Sequence, residues 1–137
     1  MTLHVADASA FGPLLFSDEK DARIAGFEEL IFLGACVVPG HWRLEVANQL
    51  LSGLRRNRTT REFAGELLTM LYALPLATDP ETENRMEETY ALALLHNLTI
   101  YDAAYLELAI RIDAELITFD RKLRAAARAE GIAIPPL

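Results

Sequence analysis

The sequence has a single cysteine, Cys36, in 137 residues. One cysteine excludes an internal disulfide framework and any zinc site built from several thiolates. Cys36 lies in an apolar run and reads as a buried, reduced thiol. Positive charge is also scarce. Thirteen Lys and Arg stand against twenty Asp and Glu, a formal net charge of −7. That balance argues against a binder that works through bulk positive charge. Long apolar runs are missing too. The longest, Leu30 to Gly40, is interrupted by Gly34 and Pro39 and is short of the roughly 18 residues a membrane helix needs. The first residues lack the ordered basic, apolar and cleavage regions of a secretory signal. A cytosolic protein with no membrane partner is therefore expected. Repeats and low-complexity tracts are absent.

What is present is apolar content: 52% of the residues, enough for a sizeable core. The length suits one domain spanning 1–137. Short apolar runs at Leu3–Ala6, Ala35–Val38 and Glu115–Phe119 read as strands, with a weaker one at Pro75–Thr78 and a terminal one at Ile132–Ile134. Between them, helical patterns run from about Asp18 to Leu33, His41 to Arg56, Thr60 onward, Glu81 to His96, Asp102 to Arg111 and Asp120 to Glu130. Leu44, Ala47, Leu51 and Leu54 keep helical spacing in the second of these, and Phe63, Leu67, Leu68 and Leu71 are expected to face inward in the third. Alternating strands and helices predict an α/β fold: a three-layer α/β/α domain around a mostly parallel sheet of four or five strands. In such a sheet the carboxyl ends of the strands share one edge, where ligands usually bind.

Four acids fall at that edge. Asp7 follows the first strand, Asp120 follows the strand holding Leu116 and Ile117, Glu45 lies in the first turns of the helix after the second strand, and Asp102 begins a helix. Each has an ordinary structural explanation. Asp7 suits an Asx turn, Asp102 and Asp120 suit helix N-caps, and Glu45 suits a solvated helix face. Together they build up a repulsion that a cation would offset. An all-oxygen donor set favours Mg²⁺ or Mn²⁺ over zinc. The three histidines, His4, His41 and His96, lack the spacing of a helical metal pair. His4 reads as a strand residue, His41 and His96 as surface or helix-end residues.

Four segments carry a family resemblance. They are Val5-Ala6-Asp7-Ala8-Ser9, the helix segment His41 to Asn48 with its Glu-x-x-Asn, Leu98 to Leu106 around Asp102, and Leu116 to Leu123 with Thr-x-Asp before a basic helix start. In that order, over nearly the whole chain, they resemble the PIN-domain ribonucleases, and within them the VapC-type toxins of toxin–antitoxin pairs. The resemblance implies an endoribonuclease dependent on Mg²⁺ or Mn²⁺, acting on structured RNA, forming a homodimer and restrained by a cognate VapB-type antitoxin. It implies Asp7, Glu45, Asp102 and Asp120 as metal-binding, catalytic acids. Ser9 and Thr118 would orient ligands or waters, and Asn48 would support the Glu45 helix.

Arg55, Arg56, Arg58 and Arg61 crowd one helix connection, and Arg121, Lys122, Arg124 and Arg128 another. An acidic RNA-binding protein needs local basic patches, so the first group is a candidate RNA contact. Charged helix ends are the ordinary alternative. Trp42 and Tyr101 flank two of the acids and are expected in core or interface packing rather than base stacking. Two other functions compete. A non-catalytic PIN module would bind RNA without cutting it. A receiver-like phosphoacceptor domain would show paired acids after the first strand, where Asp7 is single.

Overall fold

The computed structural model describes residues 2–16 and 24–135. Four short strands form a parallel sheet: β1 (His4–Ala6), β2 (Cys36–Pro39), β3 (Ala77–Asp79) and β4 (Glu115–Ile117), in the order β3-β2-β1-β4. Seven helices flank it among the described residues: α1 (Gly12–Leu15), α2 (Ile24–Phe32), α3 (Trp42–Arg55), α4 (Arg61–Ala73), α5 (Met86–His96), α6 (Ile100–Arg111) and α7 (Arg121–Ala129). The start of the helix expected from Asp18 lies outside the described residues.

Strand order makes the site. The chain steps from β1 outward to β2 and β3, then returns past β1 to β4. Right-handed crossovers place α1–α4 on one face and α5 and α6 on the other. The reversal falls between β1 and β4, so the crevice of a doubly wound sheet opens at their carboxyl ends. Asp7 leaves β1 there and Thr118 leaves β4 there, with the Asp7 amide still donating to the Ile117 carbonyl at 3.2 Å.

β1 and β4 are short and apolar because both faces are covered. Val5, Ala6, Leu116 and Ile117 are buried, as are Cys36 and Val38 of β2. α6 packs across β1, β2 and β4 and buries Ala103 through Ala109. Trp42 is wholly buried and stacks on Phe11 at 5.2 Å between ring centres, while Phe11 meets Phe27 edge-on. The core expectation for Trp42 is met, whereas Tyr101 is 61% exposed and outside the core.

Several expectations need correction. α6 begins at Ile100, not Asp102, because the Thr99 hydroxyl accepts the Asp102 amide at 3.1 Å and takes the cap. Ile132–Ile134 is not a strand; its one tie to β4 is the Leu116 amide on the Ala133 carbonyl. The inward face of α3 is Trp42, Val46, Leu50 and Gly53, leaving Leu44 76% exposed and Leu51 outward as well. In α4 the inward residues are Ala64, Leu67 and Leu71, with Phe63 and Leu68 outward.

Candidate active site

The crevice is built around Asp7. Its carboxylate is buried and accepts three bonds: from the Ser9 hydroxyl at 2.7 Å, the Thr118 hydroxyl at 2.8 Å and the Ala10 amide at 3.3 Å. The last of these caps the 3₁₀ turn Ala8–Phe11, so the expected Asx-type turn is present. The hydroxyls are themselves held. Ser9 Oγ accepts the Phe119 amide at 2.9 Å, and Thr118 Oγ1 accepts the Asp120 amide at 3.0 Å. Asp120 in turn caps α7 by accepting the Leu123 amide at 2.8 Å. One hydrogen-bond chain therefore joins Asp7, Ser9, Thr118 and Asp120 across the switch point.

Glu45 and Asp102 arrive from helices. Glu45 sits in the first turn of α3 and Asp102 in the first turn of α6. Glu45 Oε1 accepts the Tyr105 hydroxyl at 2.7 Å and stands 3.0 Å from His41 Nε2. His41 Nε2 also lies 3.2 Å from the Tyr101 carbonyl.

The electrostatics link the two halves. Burial pushes Asp7 up to about 7, against the pull of its three hydrogen bonds, and the charge on Asp102 adds to the rise. Asp102 is raised by burial, then by the charges on Asp120 and Glu45. For Glu45 burial acts upward, but the bonds from His41 and Tyr105 outweigh it and hold the carboxyl below its ordinary value. Burial and the adjacent Glu45 keep the Tyr105 phenol protonated. Among the described residues no Lys or Arg pairs with any of the four acids; Arg124 donates instead to the Thr118 carbonyl at 3.3 Å. The second basic group therefore does not neutralise this site.

A divalent cation suits this donor set. Two carboxyls, Asp7 and Asp102, are raised by burial and then by neighbouring negative charge, and oxygen donors surround them. Among the described residues no three His, Cys, Asp or Glu side chains are placed to hold one ion between them. Mg²⁺ does not require that, since it takes one or two carboxylates directly and keeps several waters.

The remaining candidates divide. Asn48 does not reach the acids through any hydrogen bond. It lines a cleft of about 210 Å³ with Phe16, Gly53, Arg56 and Arg58. Arg58 lies over the Phe16 ring at 4.1 Å. Arg55 and Arg61 line a different cleft, between α3 and α4, with Leu51 and Leu68. Of the three histidines, His4 is buried and pairs with Glu115, and His96 pairs with Glu130. His41 is the residue whose place at the site the sequence reading missed. The available signal was its i,i+4 spacing to Glu45, together with Tyr105 one turn beyond Asp102.

Comparison with known proteins adds four findings. The family model of the PIN domain matches residues 5–129. Ribonuclease VapC3 of Pyrobaculum aerophilum is 33% identical over 127 residues, which cover 87% of this chain and 90% of that protein. Among solved structures, PAE2754 from Pyrobaculum aerophilum aligns with a TM-score of 0.68 at 25% identity, covering 91% of this chain and 79% of its own. VapC20 of Mycobacterium tuberculosis, a sarcin-ricin loop cleaving toxin, aligns with a TM-score of 0.65 at 17% identity, covering 90% and 94%. The second structure bears on the fold alone. No helix among the described residues is long and apolar enough to cross a membrane.

Proposed function

The chain belongs to the PIN-domain family, and from that premise we propose that it is a single-domain, Mg²⁺- or Mn²⁺-dependent endoribonuclease of the VapC toxin type. The observation that carries the reading is the set of four acids around Asp102, electrostatically coupled and without a Lys or Arg partner among the described residues. A fold retains buried or crowded like charges at a cost to stability, and a site that takes a cation explains why.

Asp7, Glu45, Asp102 and Asp120 are the residues that would hold the ion, some of them through water. When bound, the ion supplies an activated water and offsets the negative charge that builds on the phosphodiester. The chain's own residues do the positioning. Ser9 and Thr118 orient both oxygens of Asp7. Thr118 also anchors the amide of Asp120, so the acids after β1 and β4 move as one unit. Arg56 and Arg58, which share a cleft with Asn48, are the basic groups that we assign to the RNA phosphates. Arg55 and Arg61 line a separate cleft with Leu51 and Leu68 and are left out of that assignment.

A cognate VapB-type antitoxin and a second copy of the chain complete the proposal. The antitoxin is expected to bring a basic side chain to the acids, because none of this chain's described Lys or Arg residues pairs with them.

The test is cleavage of total RNA by the purified, partner-free protein with Mg²⁺ or Mn²⁺, with EDTA, and with Asp102→Asn in parallel. Cleavage that needs the metal and is lost in the variant is expected. Cleavage that persists in EDTA, or in the variant, overturns the reading.

A further inference from the structure

The Glu45 carboxylate is gripped by side chains from outside the Asp7–Asp120 network. Two donors reach it, and both end on the same oxygen, Oε1: the Tyr105 hydroxyl at 2.7 Å and His41 Nε2 at 3.0 Å. Among the described residues Oε2 receives none. The His41 nitrogen also faces the Tyr101 carbonyl at 3.2 Å. A carbonyl and a carboxylate both only accept, so this nitrogen carries the hydrogen and shares it between them.

The imidazole is held in place on two sides. Its ring meets the edge of Tyr105 at 4.9 Å and tilts against Tyr101 at 5.7 Å. Tyr105 is wholly buried, so its hydroxyl has little freedom. The geometry also spans two helices. Glu45 and His41 belong to the start of α3, while Tyr101, Asp102 and Tyr105 belong to the start of α6. Both tethers therefore tie the α3 acid to the segment carrying Asp102, although the two carboxylates repel.

We propose that His41 and Tyr105 form a two-donor clamp that holds Glu45 against α6 and presents its other oxygen, Oε2, to the divalent ion. His41 is then a positioning residue of the ion site and not a ligand. This rests on the metal-site reading above. It goes beyond it by assigning which oxygen of Glu45 is available and which two side chains make it so. Without the clamp, Glu45 would swing away from Asp102 under their repulsion, and the site would lose a donor. Residues that orient ligand side chains through hydrogen bonds commonly matter about 10–100-fold in metal affinity.

The experiment is Mn²⁺ titration of the purified full chain at neutral pH, followed by the electron paramagnetic resonance of free Mn²⁺, with thermal melts to verify folding. The variants are His41→Ala, His41→Gln, Tyr105→Phe and Glu45→Gln. His41→Ala is expected to weaken Mn²⁺ about tenfold, and Tyr105→Phe to weaken it in the same direction while keeping the buried ring. His41→Gln keeps an N–H donor at similar reach and should stay within about threefold of the wild type. Weakening by Glu45→Gln with no change in His41→Ala would overturn the clamp and leave the metal site standing. Equal loss in His41→Ala and His41→Gln would make His41 a ligand and also overturn it. Failure of the wild type to bind Mn²⁺ would overturn both the clamp and the metal reading.

Discussion

Replacing Asp7 with Asn should make the metal-free protein more stable at alkaline pH. Asp7 is 3% exposed, and burial lifts its carboxyl from 3.8 to about 7. In the unfolded chain it ionises at its ordinary value. Between those two values the folded protein holds a proton that the unfolded chain has lost, so stability falls as pH rises through this window and levels off above it. The rise is worth about 4 kcal/mol. Asn does not titrate and escapes the loss. The hydrogen bonds limit the gain. The amide oxygen can still accept from Ser9, but Thr118 can no longer donate to Oδ2. Thr118 Oγ1 lies 3.2 Å from Ser9 Oγ and can turn its hydrogen there while accepting from the new amide group. Imperfect geometry in that exchange would cost about 1–2 kcal/mol.

The net expectation is a gain of about 2–3 kcal/mol near pH 8, vanishing near about pH 5 and turning into a deficit of about 1–2 kcal/mol below about pH 4. Urea unfolding of both proteins in EDTA across this range measures it. A variant less stable than the wild type at high pH, or a difference that does not grow with pH, refutes the reasoning. Added Mn²⁺ should stabilise the wild type by mass action and narrow the gap.

Gly53→Ala should destabilise the fold by about 1–3 kcal/mol, since an added Cβ would run into the Phe16 ring; a thermal melt reads it. Arg56→Ala with Arg58→Ala should weaken RNA binding and reduce the slope of log affinity against log salt by about 1–2, whereas Arg55→Ala with Arg61→Ala should leave that slope unchanged. Stability in EDTA should also have an acid limb. Asp79 is held below its ordinary value chiefly by hydrogen bonds from Arg111, so its contribution is present above the unfolded value near 4 and is lost as pH falls below it. Mn²⁺ should therefore restore the alkaline side of the urea-midpoint profile and leave the acid side in place.

The strands and the acids that follow them were legible because two independent signals coincide: a short apolar run, and a polar residue where the run stops. The inward faces of α3 and α4 were not. Leu44 and Leu51 keep helical spacing as well as Trp42, Val46 and Leu50 do, and only the sheet decides which stripe is covered. Apolar periodicity locates a core face only when the opposite face is polar, and α3 and α4 carry large apolar residues on both. Asp102 misled for a different reason. It is an acceptable N-cap, but Thr99 stands three residues earlier and takes the Asp102 amide, so the carboxylate is not the cap of α6. Ile132–Ile134 has strand composition but makes one backbone bond to β4, which is too little pairing to define a strand. The weak run at Pro75–Thr78 does pair, with Val37, Val38 and Pro39 of β2 opposite Ala77, Thr78 and Asp79. His41 was invisible as a site residue because a lone histidine before a helix has many ordinary uses, and its partner Tyr105 lies 60 positions away from Glu45.

The fold treats its acids in two ways, and the contrast separates structural from site carboxylates. Asp79 and the buried Glu107 share Arg111, which makes two bonds to Asp79 at 3.1 and 2.8 Å and reaches Glu107 at 2.9 Å. That guanidinium ties the edge strand β3 to α6. Losing either partner would leave a buried charge uncompensated, so the group is retained for cohesion. Among the described residues Asp7, Asp102 and Asp120 receive hydroxyl and amide donors, and Glu45 a phenol and an imidazole. These donors orient an acid without cancelling its charge. A protein with thirteen Lys and Arg residues sets Arg111 at the end of α6 between Asp79 and Glu107, with Arg85 also 3.8 Å from Glu107, and none of the described ones against the four acids of the crevice. Neutral orienting donors around uncompensated carboxylates are the arrangement expected where the missing positive charge comes from outside the chain. For that reason the pattern of partners, more than the number of acids, supports the proposed site at the switch-point crevice.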